Sequence, residues 1–259
     1  MTVELLQATP WYVRSFGRDY VALYAHRNLD EAQQNVRDLV TLIQPSPDEP
    51  LLDLACGAGR HLMALRELGF SALIGLDLSP ELLALAEQNL NGHARGAQAV
   101  RLVRADMRAI PFMGHFATVL SLFTSYGYFA EDEENAAVLC GVHHALRPGG
   151  VFLMDYINRP RVLASLVPED ERVQDGRRIH NVRRITPDGR RVEKTTTVTE
   201  ADGQVRVFDE SVRLYARDEL ATMLGTAGFE RLCVFGSLRG EPYGQASPRM
   251  VWAARKGAA

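Results

Sequence analysis

Three aspartates that end apolar runs, and a small-residue turn beside the first, are the residues of this chain with the clearest chemical potential. The turn is Asp53-Leu-Ala-Cys-Gly-Ala-Gly59, with Leu51 and Leu52 before it and Arg60 after it. Gly57 and Gly59 let a ligand approach the backbone without Cβ obstruction. Leu51, Leu52 and Leu54 read as a buried parallel strand, and a helix opens near Arg60. Its free N–H groups and positive dipole end then face the crevice at the carboxyl edge of the strand, a nucleotide-type pocket. Asp77 ends a second apolar run over 71–77, twenty residues after Gly57, near the ~20-residue offset of a ribose-binding carboxylate. Such a carboxylate can accept from both hydroxyls of a ribose diol. A third run over 100–105 ends at Asp106-Met107, and a fourth over 117–123 leads into Thr124-Ser-Tyr-Gly-Tyr-Phe129.

Spacing separates two readings of the turn. A dinucleotide fingerprint, G-x-G-x-x-G, would need a third glycine where Leu62 stands, which disfavours a nicotinamide-dependent oxidoreductase. The acidic residue ahead of the turn, and the aspartates at the next two strand ends, resemble the class I S-adenosylmethionine-dependent methyltransferases, with Ala55 in place of the family's first turn glycine. The resemblance covers about 30–157 and resumes near 215. It implies an α/β, Rossmann-like fold: a mostly parallel twisted sheet with helices on both faces. It also implies S-adenosylmethionine as cofactor, S-adenosylhomocysteine as product, and no metal. Asp53, Ala55, Gly57, Gly59 and Arg60 would lie at the cofactor, with Asp77 and Leu78 at its ribose. Asp106 would accept from the adenine amino group, Met107 would pack on the ring, and Leu122 would end the strand beside the methyl group.

The acceptor side is less constrained. Methyl transfer needs mainly a deprotonated nucleophile held about 3 Å from the methyl carbon, so orientation and desolvation contribute most, and a base helps only a hydroxyl or ammonium acceptor. Tyr20 and Tyr24 lie in a segment similar to the amino-terminal lid helix of small-molecule N-methyltransferases. Tyr20 is a candidate for cofactor contact and Tyr24 for catalysis, against a Tyr pair at i, i+4 that covers core. Tyr126 is the other catalytic candidate and Tyr128 a substrate contact, since Tyr126, Tyr128 and Phe129 after the fourth strand could enclose a cation, against aromatic packing of a loop. Asp155 at the end of the fifth strand and Arg249 before the last are further substrate candidates, set against a turn-capping carboxylate and an ordinary surface arginine.

The elements that must position these residues follow from periodicity. Two helices precede the first strand, the second over 29–43; others are expected over 60–68, 80–91, 133–146 and 217–227. Ser79-Pro80-Glu81 has the cap, proline and acid of a helix start. Arg147-Pro-Gly-Gly150 turns into a fifth strand over 151–156, and strands over 230–236 and 249–255 close the sheet. Residues 160–214 alternate and are rich in β-branched side chains, with turns at Pro187-Asp-Gly189 and Ala201-Asp-Gly203, so three or four antiparallel strands are expected over the pocket mouth. Four regions result: a helical lid over 1–47, a cofactor-binding core over 48–159, the β insertion over 160–214, as lid or dimer contact, and the returning core over 215–259.

Composition narrows the function class. The chain has 259 residues, 46% of them apolar, enough for one α/β domain with an insertion, and a net charge of −3 gives no global case for nucleic acid or an anionic membrane. No signal peptide or membrane-length run is present in it, which points to a soluble cytoplasmic protein, and three widely spaced cysteines point to reduced thiols. His143 and His144 have no third ligand at metal spacing. The arginines over 172–191 are interleaved with Glu171, Asp175 and Asp188, the pattern of solvent-edge protection on hairpins rather than RNA recognition. The reading is methyl transfer to a small-molecule acceptor, nitrogen slightly ahead of oxygen. An oxidoreductase and a non-catalytic cofactor- or RNA-binding partner stand as alternatives, and a homodimer is left open.

Overall fold

The structure is a computed structural model that describes residues 10–17, 21, 23, 29–92 and 99–258. It opens with a short helix, α1 (Trp11–Ser15), and the helix α2 (Leu29–Ile43). The α/β core follows as β1 (Leu51–Leu54), α3 (Arg60–Glu67), β2 (Leu73–Asp77), α4 (Pro80–Gly92), β3 (Arg101–Arg104), β4 (Phe116–Ser121), α5 (Asp132–Ala145) and β5 (Leu146–Ile157). Next come α6 (Arg159–Ser165) and four strands, β6 (Glu169–Gln174), β7 (Arg177–Ile185), β8 (Arg191–Thr199) and β9 (Val205–Arg213). The chain returns through α7 (Arg217–Thr226), β10 (Phe229–Phe235) and β11 (Arg249–Lys256).

The main sheet has the order β10-β11-β5-β4-β1-β2-β3. β1, β2, β3, β4 and β5 pair in parallel, while β11 runs antiparallel to β5 and β10. Every residue of β1 and β2 is buried, because helices cover both faces. On one face Leu52, Leu54, Phe152 and Met154 pack with Val138 and Leu139 of α5 and Leu220 and Leu224 of α7. On the other, Leu51, Leu120, Leu153 and Val251 pack with Val36 and Leu39 of α2 and Leu62 and Leu65 of α3. Strand order reverses between β1 and β4, which opens a crevice at the carboxyl ends of the strands.

The insertion is a separate antiparallel sheet, β6-β7-β8-β9. Its four strands fall within the three or four expected, but two elements in this region had no place in the sequence reading. α6 is a single short helix, and β6 is a polar strand whose one exposed apolar residue is Val173. The signal for β6 was Asp175-Gly176, which have φ of 52° and 78°, the paired left-handed residues of a two-residue hairpin. Leu146–Ile157 is also one strand: residues 147–150 form an irregularity between the Phe116–Leu146 and Thr118–Val151 pairings rather than a turn ahead of it. β9 holds the amino-terminal helix, with Ser15 donating its hydroxyl hydrogen to the Asp209 carbonyl at 2.7 Å. Among the described residues no helix is long and apolar enough to cross a membrane.

Candidate functional site

The crevice holds a cavity of about 450 Å³, lined by the ends of β1, β2 and β3, the loop after β4, and residues 12–17. Ala55, Gly57, Asp77, Leu78, Asp106, Met107 and Tyr128 all contribute to its wall. Ala55 has a φ of 60° and Gly57 a φ of 55°. Ala55 thus takes the left-handed conformation its motif requires, at a strain that glycine would avoid. A Cβ built on Gly57 meets nothing within 4 Å, so the turn leaves open space on its cavity side.

Asp77 is set by the turn it faces. Its Oδ2 accepts from Gly57 N and its Oδ1 from Ser79 N, both at 2.8 Å. Burial raises its pKa against the pull of these backbone donors. Each oxygen keeps acceptor capacity for a further donor in the cavity. Asp106 is held differently: the Arg108 guanidinium closes on it, with Nη2 2.6 Å from Oδ2, and this hydrogen bonding holds its carboxyl below the usual range. Arg108 also pairs with Glu134 and lies 4.5 Å from the Phe129 ring centroid.

The mouth is aromatic. Tyr128 packs against Trp11 and Phe16 with centroids 5.1 and 5.3 Å apart, and Tyr12 meets Phe129 edge-on at 5.3 Å. Burial pushes the Tyr12 phenol above its ordinary value, so it stays protonated at neutral pH. Beneath the turn, Asp53 and His61 are buried, and neither Asp53 Oδ2 nor His61 Nε2 has a hydrogen-bond partner among the described residues. Burial, then Asp77, push the Asp53 carboxyl up to about 7, against Arg60; burial, then Arg60, take His61 down to about 3.

The cavity therefore offers a carboxylate with spare acceptor capacity, a second carboxylate one strand over, and apolar walls from Leu76, Leu78 and Met107. A methyltransferase domain family matches residues 51–150. A dTDP-3-amino-3,4,6-trideoxy-alpha-D-glucopyranose N,N-dimethyltransferase of Streptomyces venezuelae is 30% identical over 226 residues, 86% of this chain and 89% of that protein. This chain belongs to the class I S-adenosylmethionine-dependent methyltransferases. An S-adenosylmethionine-bound amino pentose methyltransferase from Micromonospora echinaspora superposes with a TM-score of 0.65 at 26% identity, covering 92% of this chain and 97% of that one. The CcbJ methyltransferase from Streptomyces caelestis has the same fold, with a TM-score of 0.75 at 18% identity over 87% and 96% of the two chains.

S-adenosylmethionine is the cofactor of this methyltransferase and S-adenosylhomocysteine its product, and the enzyme methylates a small-molecule acceptor. The nicotinamide reading falls. Leu62, in the place of the third glycine, is fully buried, and its Cδ1 lies 2.6 Å from where a Cβ on Gly75 would stand. The basic hairpins are largely neutralised within their own sheet, by pairs such as Arg177 with Glu200, Arg184 with Glu193 and Lys194 with Glu210.

Several residues expected at the site of the methyltransferase stand elsewhere. Tyr126 is in the core, 2% exposed, with its hydroxyl donating to the Asn135 carbonyl at 3.0 Å, so it faces no substrate. Asp155 and Arg249 are paired with each other at 2.6 Å, outside the cavity wall. Leu122 is buried in the core, and its carbonyl accepts from Ser125 Oγ at 2.8 Å. Gly59 serves packing: a Cβ there would come within 3.1 Å of Ala86 Cβ on α4. Arg60 pairs with Glu31 at 2.9 Å and covers the Phe123 ring at 4.2 Å. Tyr20 and Tyr24 lie outside the described residues. Phe129, expected with Tyr128 among the aromatics after the fourth strand, lines the cavity, and Tyr12 and Phe16 line it without having been expected there. The signal for these two was the density of aromatic residues over 11–16.

Proposed function

We propose that this methyltransferase is a cytoplasmic enzyme that methylates the nitrogen of a small polar amine, with amino sugars as the acceptor class. The observation that carries this reading is the aromatic mouth formed by Tyr12, Phe16, Tyr128 and Phe129. An N-methylated amine is cationic at neutral pH, and aromatic faces stabilise such a centre while excluding water. The sugar N-methyltransferases among the relatives support the same acceptor class.

When bound, S-adenosylmethionine supplies a methyl group on a sulfonium that is already a good leaving group. Asp77 accepts from the ribose hydroxyls, and Asp106 from the adenine amino group with Met107 against the ring. Ala55 and Gly57 let the turn come close to the ligand, and Tyr128 and Phe16 confine the acceptor. An amine in its free-base form needs no protein base, and the cavity wall carries no histidine among the described residues. The β insertion acts through the lid, because β9 anchors the helix that carries Tyr12.

The test is product analysis with labelled S-adenosylmethionine across amino sugars, simple amines, phenols and carboxylates. Methylation at nitrogen on an amino sugar is the expected result, and transfer only to oxygen acceptors would overturn the reading. For the cofactor site, Asp77→Ala removes a charge-assisted interaction of about 1.5–3 kcal/mol. S-adenosylhomocysteine affinity measured by calorimetry should fall roughly ten- to a hundred-and-fifty-fold; unchanged affinity would mean that the ribose lies elsewhere.

A further inference from the structure

Two rings of the aromatic mouth, Tyr128 and Phe129, stand on the loop after β4, which has no strand or helix to satisfy its backbone. Carbonyls of an irregular, covered segment must find donors elsewhere, and here they come from the inserted sheet. Arg191, the first residue of β8, donates Nη1 to the Phe129 carbonyl at 2.9 Å and Nη2 to the Gly127 and Tyr128 carbonyls, each at 3.3 Å. Three consecutive carbonyls thus converge on one guanidinium. Arg213, paired with Arg191 across the β8–β9 ladder, adds its backbone N–H to the Gly127 carbonyl at 2.8 Å. Gly127 has a φ of 87°, and a Cβ there would stand 2.9 Å from the Tyr156 hydroxyl, so only glycine lets the chain pass at this point.

The guanidinium is itself held in place. Nε donates to Ser211 Oγ at 2.8 Å and Nη2 to the Ser211 carbonyl at 2.9 Å, while the Arg191 backbone N–H donates to Thr186 Oγ1 at 2.9 Å. Arg191 is half-buried and pairs with no carboxylate among the described residues. Its neighbours on the same sheet differ: Arg184 and Lys194 each meet an acid. Partial burial of a cation without a counter-charge is costly, and what this one obtains is a planar fork of donors aimed at neutral oxygens.

We propose that Arg191 is a positioning residue of this methyltransferase, which sets the Tyr128 and Phe129 rings by fixing the peptide planes that flank them; the proposal rests on the aromatic-mouth reading of the acceptor site. Fixing those planes fixes the directions in which the two side chains leave the backbone. The inserted sheet then holds both sides of the mouth, Trp11 to Phe16 through the Ser15 contact with β9 and Tyr128 to Phe129 through Arg191. The earlier part of the loop is held by other groups, Thr124 by Arg249 and the Ser125 hydroxyl by the Leu122 carbonyl. Arg191 therefore acts on the acceptor side more than on the cofactor side.

Trp11 reports on the loop, because its ring lies 5.1 Å from that of Tyr128 and the other tryptophan of the chain, Trp252, is 2% exposed and shielded from a quencher. The test is acrylamide quenching of the full chain saturated with S-adenosylhomocysteine. Arg191→Met should raise the Trp11 quenching constant roughly twofold or more by freeing the loop. Arg191→Lys keeps the charge but not the fork and should recover only part of the difference. Ser211→Ala, which leaves the charge and the loop intact, should move quenching the same way by less. Tetramethylammonium, titrated at constant ionic strength as the probe of a cationic centre, should bind Arg191→Met roughly five- to thirtyfold more weakly than wild type. S-adenosylhomocysteine affinity by calorimetry should change less than about twofold. Unchanged quenching in Arg191→Met, full recovery by lysine, or equal losses of S-adenosylhomocysteine and tetramethylammonium affinity would each overturn the positioning role. If Arg191→Met fails to fold, Ser211→Ala decides, and unchanged quenching there would overturn it as well. The amine reading fails separately: a wild-type enzyme that ignores tetramethylammonium, with quenching that still depends on Arg191, would uphold the clamp and reject the cationic acceptor.

Discussion

Asp53→Asn should stabilise the cofactor-free enzyme, by an amount that grows as the pH rises from about 4 to about 7 and then levels. Asp53 is 1% exposed, its Oδ2 has no partner among the described residues, and its carboxyl is raised to about 7, chiefly by burial and then by Asp77, with Arg60 opposing. A carboxyl raised in the folded state holds a proton there that the unfolded chain has already released. Stability therefore falls by about 1.4 kcal/mol per pH unit through that window. Asparagine has no such proton, so the gap between variant and wild type should widen by up to about 4 kcal/mol. In a chain of this size that is a difference in melting temperature of roughly 8–16 °C.

His61 makes the paired comparison necessary. Its pKa is lowered to about 3, so the unfolded chain takes up a proton below about pH 6.5 that the folded state refuses, and stability falls as pH drops. Between about pH 4 and 6.5 the two slopes oppose each other, and the wild-type profile alone conceals both. Asp77, which is also raised by burial, adds a slope of the same sign as Asp53. Thermal unfolding of both proteins across this range gives the answer. A gap independent of pH would show that Asp53 is ionised throughout.

Arg249→Ala should cost about 2–3 kcal/mol and loosen the cofactor site from outside it. Asp155 has a side chain 4% exposed, with Oδ1 facing Arg249 Nε and Oδ2 accepting from Phe123 N at 3.2 Å. Breaking a fully buried pair costs more, but the Arg249 side chain is 30% exposed and solvent screens part of the loss. The same arginine reaches Thr124, and Phe123 and Thr124 both hold φ near +60°. Non-glycine residues keep that conformation when their surroundings enforce it. Their release should lower cofactor affinity, because the loop carries Ser125, Tyr128 and Phe129 to the cavity. In Asp155→Asn combined with Arg249→Ala, the loss should be less than the sum of the single losses, by roughly 0.5–3 kcal/mol. Strict additivity in denaturant unfolding would remove the pair as the brace.

Much of the fold could be read along the chain, because parallel strands covered on both faces are short continuous apolar runs that stand out from helices. Leu51 to Leu54, the run ending at Asp77 and the run over 117–123 each appear in the sheet, the last as a strand that stops at Ser121. The aspartates ending β2 and following β3 are legible for the same reason: a charged residue directly after an apolar run lies at the carboxyl edge. β6 was not legible, since Glu169–Gln174 pairs through its backbone and buries almost no apolar side chain. The signal lay in its Asp-Gly turn rather than in the strand.

What the sequence by itself determined is the family and which strand ends line the cavity, since these depend on neighbours within a few residues of each strand end. What the tertiary structure alone decided is how side chains far apart in sequence divide the remaining roles. Asp155 and Arg249 are 94 residues apart and meet because β5 and β11 pair antiparallel, with Arg249 opposite Ile157. Tyr126 and Tyr128 are two residues apart, yet one is locked onto Asn135 in the core while the other faces the cavity. Periodicity is local, and it cannot tell which face of an irregular loop will be covered by a helix from elsewhere.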